Sequence, residues 1–192
     1  MKQFTIAVLA TAGLLCTSAY AARNAGGVDD AEGAYGVLFP LSQAAPNSRM
    51  TPGALNRDVT QSTIHSTICV KGYTRAIRPE EGYTERLKRE QIVAYGYSDR
   101  RLRDYEEDHL VSLELGGSPT DPRNLWPEPH HVVGGWGSYA KDRLENKLKH
   151  LVCSGRMSLA DAQRAIANDW ISAYKQFVSQ VPAEKRRHRD DD

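Results

Sequence analysis

The passage from Tyr105 to Pro129 constrains the fold more than any other part of this chain. His109, Val111, Leu113 and Leu115 alternate with Leu110, Ser112 and Glu114, which is the period of an extended segment with two unlike faces. Gly116-Gly117 ends the pattern. Residues 118–123 hold two prolines and an aspartate and read as a loop, after which Asn124-Leu125-Trp126 can return as a second strand until Pro127 and Pro129 stop it. The expectation is a hairpin with an enlarged turn.

Around it the chain reads as helices and short connections. Thr63, Ile64, Thr67, Ile68 and Val70 favour a short strand that carries Cys69 into the fold. Thr84 can cap a helix running to Tyr95, with Gly96 at the left-handed position that follows a helix end. Ser138 is a good cap for a helix through Cys153, whose apolar stripe is Leu144, Leu148, Leu151 and Val152, and Gly155 lies just beyond it. Asp142 and Asn146 fall off that stripe. Ser158 and Asp161 open a last helix, running towards Val181, in which Ala162, Ile166, Trp170, Tyr174 and Phe177 recur at helical spacing as core.

The length of 192 residues suits one domain with accessory segments. Met1-Lys2, an apolar run from Phe4 to Cys16 and the small residues Ala19 and Ala21 have the order of a cleavable export signal, and the run is too short for a permanent membrane span. Cleavage is expected after Ala21, giving a periplasmic or extracellular protein with no transmembrane anchor in the mature chain. Residues 22–62 are rich in small and polar residues and read as a flexible leader, residues 63–182 as the folded domain, and residues 183–192 as a disordered charged tail. Removal of the signal leaves Cys69 and Cys153, which should pair where disulfides persist; two buried free thiols are the alternative.

The net charge of +1 gives no global attraction to a polyanion. Residues 71–103 nevertheless carry nine basic against five acidic residues, and Arg86, Lys88, Arg89 and Arg101 are candidate phosphate contacts within that segment. A wet helix face would look much the same. The hairpin adds three groups suited to phosphodiester hydrolysis: the imidazole of His109 to deprotonate water, the carboxylate of Asp108 as a hard ligand, and the amide of Asn124 to fix a loop. Neighbours on a regular strand point to opposite faces, so Asp108 and His109 can serve one site only at a strand end or distortion.

Asp108-His109-Leu110, Glu114-Leu115-Gly116-Gly117 and Asn124-Leu125 together resemble the HNH nucleases of the ββα-metal superfamily. The longer run from Glu107 to Pro129, followed by residues 140–145, resembles an exported bacterial subgroup of that family. The resemblance implies an α+β fold, with a small ββα-metal hairpin and helix core, flanking helices and one divalent ion, Mg²⁺ first, with Mn²⁺ or Zn²⁺ as alternatives. His109 would be the general base, Asp108 a metal ligand and Asn124 the residue that holds the loop and sets the angle of His109. The family's further ligand falls on Val133, which cannot bind metal, so Asp142 is the preferred substitute, with His130, His131 and Asn146 as alternatives. The implied activity is metal-dependent endonucleolytic cleavage of DNA or RNA with low sequence specificity. An immunity protein would be a partner if the chain is a delivered toxin. The competing reading is a non-catalytic envelope module that binds protein or polysaccharide on the same scaffold.

Overall fold

The computed structural model describes residues 37–178. The expected export signal, residues 22–36 of the expected leader, and the tail lie outside them. Helices α1 (Tyr73–Ile77) and α2 (Glu81–Ala94) precede an antiparallel pair of strands, β1 (Tyr105–His109) and β2 (Leu125–Pro129), and helices α3 (Ser138–Cys153) and α4 (Leu159–Phe177) follow. Helix α2 packs on both strands and α3 packs on α4. The fold is mixed helix and sheet, held by a disulfide between Cys69 and Cys153 with Cα atoms 5.6 Å apart. Among the described residues no helix is long and apolar enough to cross a membrane.

The hairpin's first strand is shorter than expected. Strand β1 ends at His109, and Leu113–Leu115 is a turn of 3₁₀ helix. The cause is Asn124. Leu110 N–H donates to Asn124 O at 2.8 Å, the last backbone rung. The Asn124 side chain then behaves as a peptide group, with Oδ1 accepting from Val111 N–H and Nδ2 donating to Val111 O, each at 3.0 Å. A second Nδ2 proton goes to Ser118 O at 3.0 Å, so the enlarged turn closes on a side chain and the strand cannot continue.

Strand β2 also runs through both prolines that should have stopped it. Pairing of Leu110 with Asn124 is hydrogen-bonded, so alternation makes Asp108–Trp126 and Glu106–Glu128 bonded pairs, while Pro127 and Pro129 face Glu107 and Tyr105 at the unbonded positions. No ladder bond is lost there. Gly116 has φ +75°, and a Cβ on Gly117 would lie 1.7 Å from Val111 O and 2.6 Å from Asn124 Nδ2. The glycine pair is therefore required for the turn and for the clamp respectively.

Two further expectations are corrected. The strand over residues 63–70 is a 3₁₀ turn, Ile64–Ser66, because Thr63 Oγ1 donates to Asp58 O at 2.8 Å and Thr67 Oγ1 to Thr63 O at 2.7 Å, offering the backbone local partners instead of a neighbouring strand. The core also begins before residue 63, since Phe39, Ala44 and Val59 are buried in it. Trp170 Nε1 donates to Ala44 O at 2.7 Å across α4, which breaks its helical angles at Asp169. Asp169 re-caps the second half by accepting from Ser172 N–H at 3.0 Å.

The helix ends largely follow their expected signals. Ser158 Oγ accepts from Asp161 N–H at 3.1 Å, and Gly96 and Gly155 have φ near +70° at +71° and +72°. Helix α2 starts at Glu81, three residues before Thr84. Helix α3 has Gly137 as its N-cap and Ser138 as its first residue, and position 137 must be glycine because a Cβ there would meet His130 O at 2.0 Å.

Candidate functional site

His109 is the last residue of β1, and there the chain leaves the pleat. Within the strand, register places Glu106 and Asp108 on one face with Trp126 and Glu128, and Tyr105, Glu107 and His109 on the other. At the strand end both Asp108 and His109 nevertheless line one cleft of about 190 Å³, together with Asp142, Glu145 and Asn146 of α3 and Glu114 of the turn. A second cleft of about 380 Å³ lies on the other side of His109, beside Glu106, Glu107, Lys88 and His130. Arg78 lines both.

The His109 ring is buried, and its Nε2 lies 2.9 Å from Pro119 O. A carbonyl only accepts, so Nε2 carries the proton and the neutral ring keeps its lone pair on Nδ1. Burial lowers the His109 pKa below its ordinary 6.5, against a smaller pull upward from the Asp108 carboxylate. The imidazole is thus neutral at physiological pH. Pro119 is held in place from two sides. Asn124 grips the adjoining Ser118 carbonyl, and Tyr83 Oη donates to Thr120 O at 2.6 Å from the first turn of α2.

Beneath Asp108 lies a group that the sequence reasoning did not single out. Lys141 of α3 is fully buried, and its ammonium donates to Asp108 Oδ2, to Glu145 Oε1 and, at 2.8 Å, to His109 O, with Glu128 Oε2 at 3.9 Å. Burial pulls the ammonium down, but the three carboxyl groups hold it well above its ordinary value. Burial likewise pushes Asp108 up, and Lys141 with the hydrogen bonds around it more than offsets this, so Asp108 stays ionised. Glu128 goes the other way: with no solvent exposure its carboxyl is raised well above the usual range and keeps its proton. Burial pushes Glu145 to about 8. The inner site therefore carries one firm ion pair, Asp108–Lys141, between carboxyls close to neutral.

The sequence held a signal for Lys141. It lies seven residues before Leu148 and eleven before Val152, within about 20° of the buried stripe at 100° per residue. A lysine on an apolar stripe needs buried partners.

Metal-binding capacity rests on oxygen donors. Among the described residues no three of His, Cys, Asp and Glu gather so as to hold an ion by themselves. Asp108, Asp142 and the Asn146 amide do line one cleft, and burial first, then the Asp108 charge, raise the Asp142 carboxyl. Two carboxylates and an amide oxygen, with water completing the shell, suit a small hard dication such as Mg²⁺. Asn146 Nδ2 is turned back to Asp142 O at 2.8 Å. His130 lines only the other cleft, with Nδ1 2.9 Å from Ser138 Oγ, and its ring stacks on Tyr139 at 5.6 Å; the His131 ring lies 5.9 Å from Tyr139 and lines neither cleft.

The four expected phosphate contacts separate. Arg86 is exposed over the Tyr83 ring at 5.8 Å, and Arg89 is exposed 3.8 Å from Glu85. Arg101 pairs with Asp99 and Asp104, both at 2.9 Å. Lys88 is buried, 2.7 Å from Glu85 and 3.3 Å from Tyr105 O, so it is an internal tie of α2 to β1 and not an open basic contact. No protein-family model, no curated protein and no solved structure matches the chain.

Proposed function

We propose that this chain is an exported, metal-dependent endonuclease of HNH type that hydrolyses phosphodiester bonds of DNA or RNA with little base preference, built on a ββα-metal core of β1, β2 and α3. The observation that carries the reading is the His109 ring: a buried, neutral imidazole at a strand end, its Nε2 proton fixed on Pro119 O and its Nδ1 left to accept a proton. Nδ1 takes a proton from a water molecule as the water oxygen forms its bond to phosphorus. The bond from phosphorus to the leaving oxygen breaks in line, and that oxygen is protonated from solvent. Asp108, Asp142 and Asn146 would hold one divalent ion, which supplies Lewis-acid stabilisation of charge on the phosphoryl and leaving oxygens. Lys141 keeps Asp108 ionised and ties the His109 carbonyl, and Asn124 keeps the loop that aims the ring.

The competing reading, a non-catalytic envelope module, draws on one feature: Lys141 already claims an oxygen of Asp108 and one of Glu145. One experiment separates the two. Oxidised protein should nick plasmid and degrade RNA or single-stranded DNA with Mg²⁺ or Mn²⁺ and stop with chelator. Activity unchanged by chelator would sink the metal-dependent mechanism, and full activity in His109→Ala would remove His109 as the base.

A further inference from the structure

The two clefts that meet at His109 have acidic walls. The ionised Asp108, joined by Glu106, Glu107, Asp142 and Glu145 wherever these lose their protons, would repel a phosphodiester unless a cation faces it. The two lysines at hand are committed, Lys88 to Glu85 and Lys141 to Asp108 and Glu145. Arg78 is different. Its side chain lies exposed along both clefts and has no ion pair or hydrogen bond among the described residues, in a protein where Arg101, Arg123 and Arg164 each pair with a near neighbour. It is close enough for its charge to act on Glu106, His109 and Asp142. Its backbone closes α1 in an extended conformation, φ −62° and ψ 132°, which the following Pro79 favours, so the guanidinium is delivered from a fixed base.

We propose that Arg78 is the phosphate-binding residue of this site, its guanidinium fork taking the non-bridging oxygens of the phosphodiester whose phosphorus lies before His109. The assignment rests on the nuclease reading and moves anion recognition from the α2 surface to the residue that ends α1. A fork matches two phosphoryl oxygens as a point charge does not, so lysine is an incomplete substitute. Charge accumulates on those oxygens during displacement, and the effect of losing Arg78 belongs mainly in kcat.

The test compares wild type, Arg78→Ala, Arg78→Lys and Arg75→Ala, the last an exposed arginine of the same helix that lines neither cleft. Plasmid nicking with Mg²⁺ should fall on the order of 10²-fold to 10³-fold in Arg78→Ala, recover in part in Arg78→Lys and persist in Arg75→Ala, with melting temperatures unchanged because Arg78 has no internal partner. In parallel, the Arg78 Nε–H resonance, assigned by its loss in Arg78→Lys, should shift saturably as inorganic phosphate is added. Equal rates in wild type and Arg78→Ala, or equal losses in Arg78→Ala and Arg75→Ala, would overturn the proposal. If wild type cleaves neither DNA nor RNA, the nuclease reading fails on its own account; a saturable Arg78 shift then still supports the anion site, and a resonance indifferent to phosphate rejects it.

Discussion

His109 and Asn124 divide the work of the turn between them. On the proposed nuclease reading, replacing His109 by Ala should lower the single-turnover rate by on the order of 10²-fold to 10⁴-fold while leaving the fold intact, measured by circular dichroism beside the cleavage assay. The rate should also follow the neutral imidazole. Because burial lowers the His109 pKa, the acid limb of the pH–rate profile should be centred below 6.5 and the rate should be flat from neutral pH upward; a limb centred above 6.5 would place the titrating group elsewhere. Asn124→Ala would strand the Val111 peptide group and the Ser118 carbonyl in a buried site, and about 2 to 4 kcal/mol of stability should go with them, read from urea melts. The loop-holding part of Asn124 was legible in the sequence through its place in a family-like pattern, and its amide does bridge Val111 and Ser118; the same pattern singled out His109, whose ring stands at the strand end against Pro119 O. Lys141 was overlooked because it is charged, although its helical angle was the angle of the core, and Arg78 was hidden because only the folded clefts distinguish it from other arginines of the basic segment.

The elements show why residue patterns misplace boundaries. Alternation from His109 to Leu115 was real, but it describes a side-chain sequence and not a ladder; the Asn124 amide took the next rung, and Leu113 and Leu115 became buried residues of a turn. Prolines in β2 misled in the opposite direction, because the side of the ladder on which a missing N–H falls depends on register that no single strand reveals. Helix α3 offers the sharper test. Lys141→Met would leave Asp108, Glu128 and Glu145 without their cation, and breaking such a buried pair should cost about 3 to 5 kcal/mol at pH 7. Without the ammonium the Asp108 carboxyl would bind a proton more readily in the fold than in the unfolded chain, so the deficit should shrink as pH falls towards 5. Chemical denaturation at the two pH values checks both statements.

For the molecule as a whole, buried carboxyls set the response to pH. Burial raises Glu106 to about 7 and Glu107 and Glu145 to about 8, all from 4.5, so the folded state holds more protons than the unfolded one across that interval. Their stabilising effect is complete below 4.5 and is lost as pH rises through 7 to 8. The lowered values of His109 and His130 act the other way, but only below 6.5. Melting temperature should therefore fall between pH 6.5 and 8.5. Glu107→Gln, which replaces a carboxylate whose oxygens have no hydrogen-bond partner, should lessen the fall; an unchanged slope would assign it to other groups. The expected domain start at residue 63 missed Phe39, Ala44 and Val59 for a physical reason: Phe39 belongs to an apolar run of three residues cut off by Pro40, Ala44 is small, and Val59 stands alone between polar residues, so no periodicity marks them. The disulfide, by contrast, followed from the cysteine count once the expected export signal had set Cys16 aside. It spans 84 positions, and its reduction should lower stability by about 4 to 5 kcal/mol, visible as a drop in melting temperature with dithiothreitol.

That bridge has a topological consequence. Arg78, Asp108, His109, Asn124, Lys141 and Asp142 all lie between Cys69 and Cys153, inside a covalent ring, while residues 37–68 and 154–178 hang from it as two arms that complete the core. One peptide bond cut anywhere in the ring opens it without releasing a fragment. Limited proteolysis at the exposed Thr120–Arg123 stretch should therefore yield a nicked protein that runs as a single species on a non-reducing gel and separates into two pieces only when thiol is added.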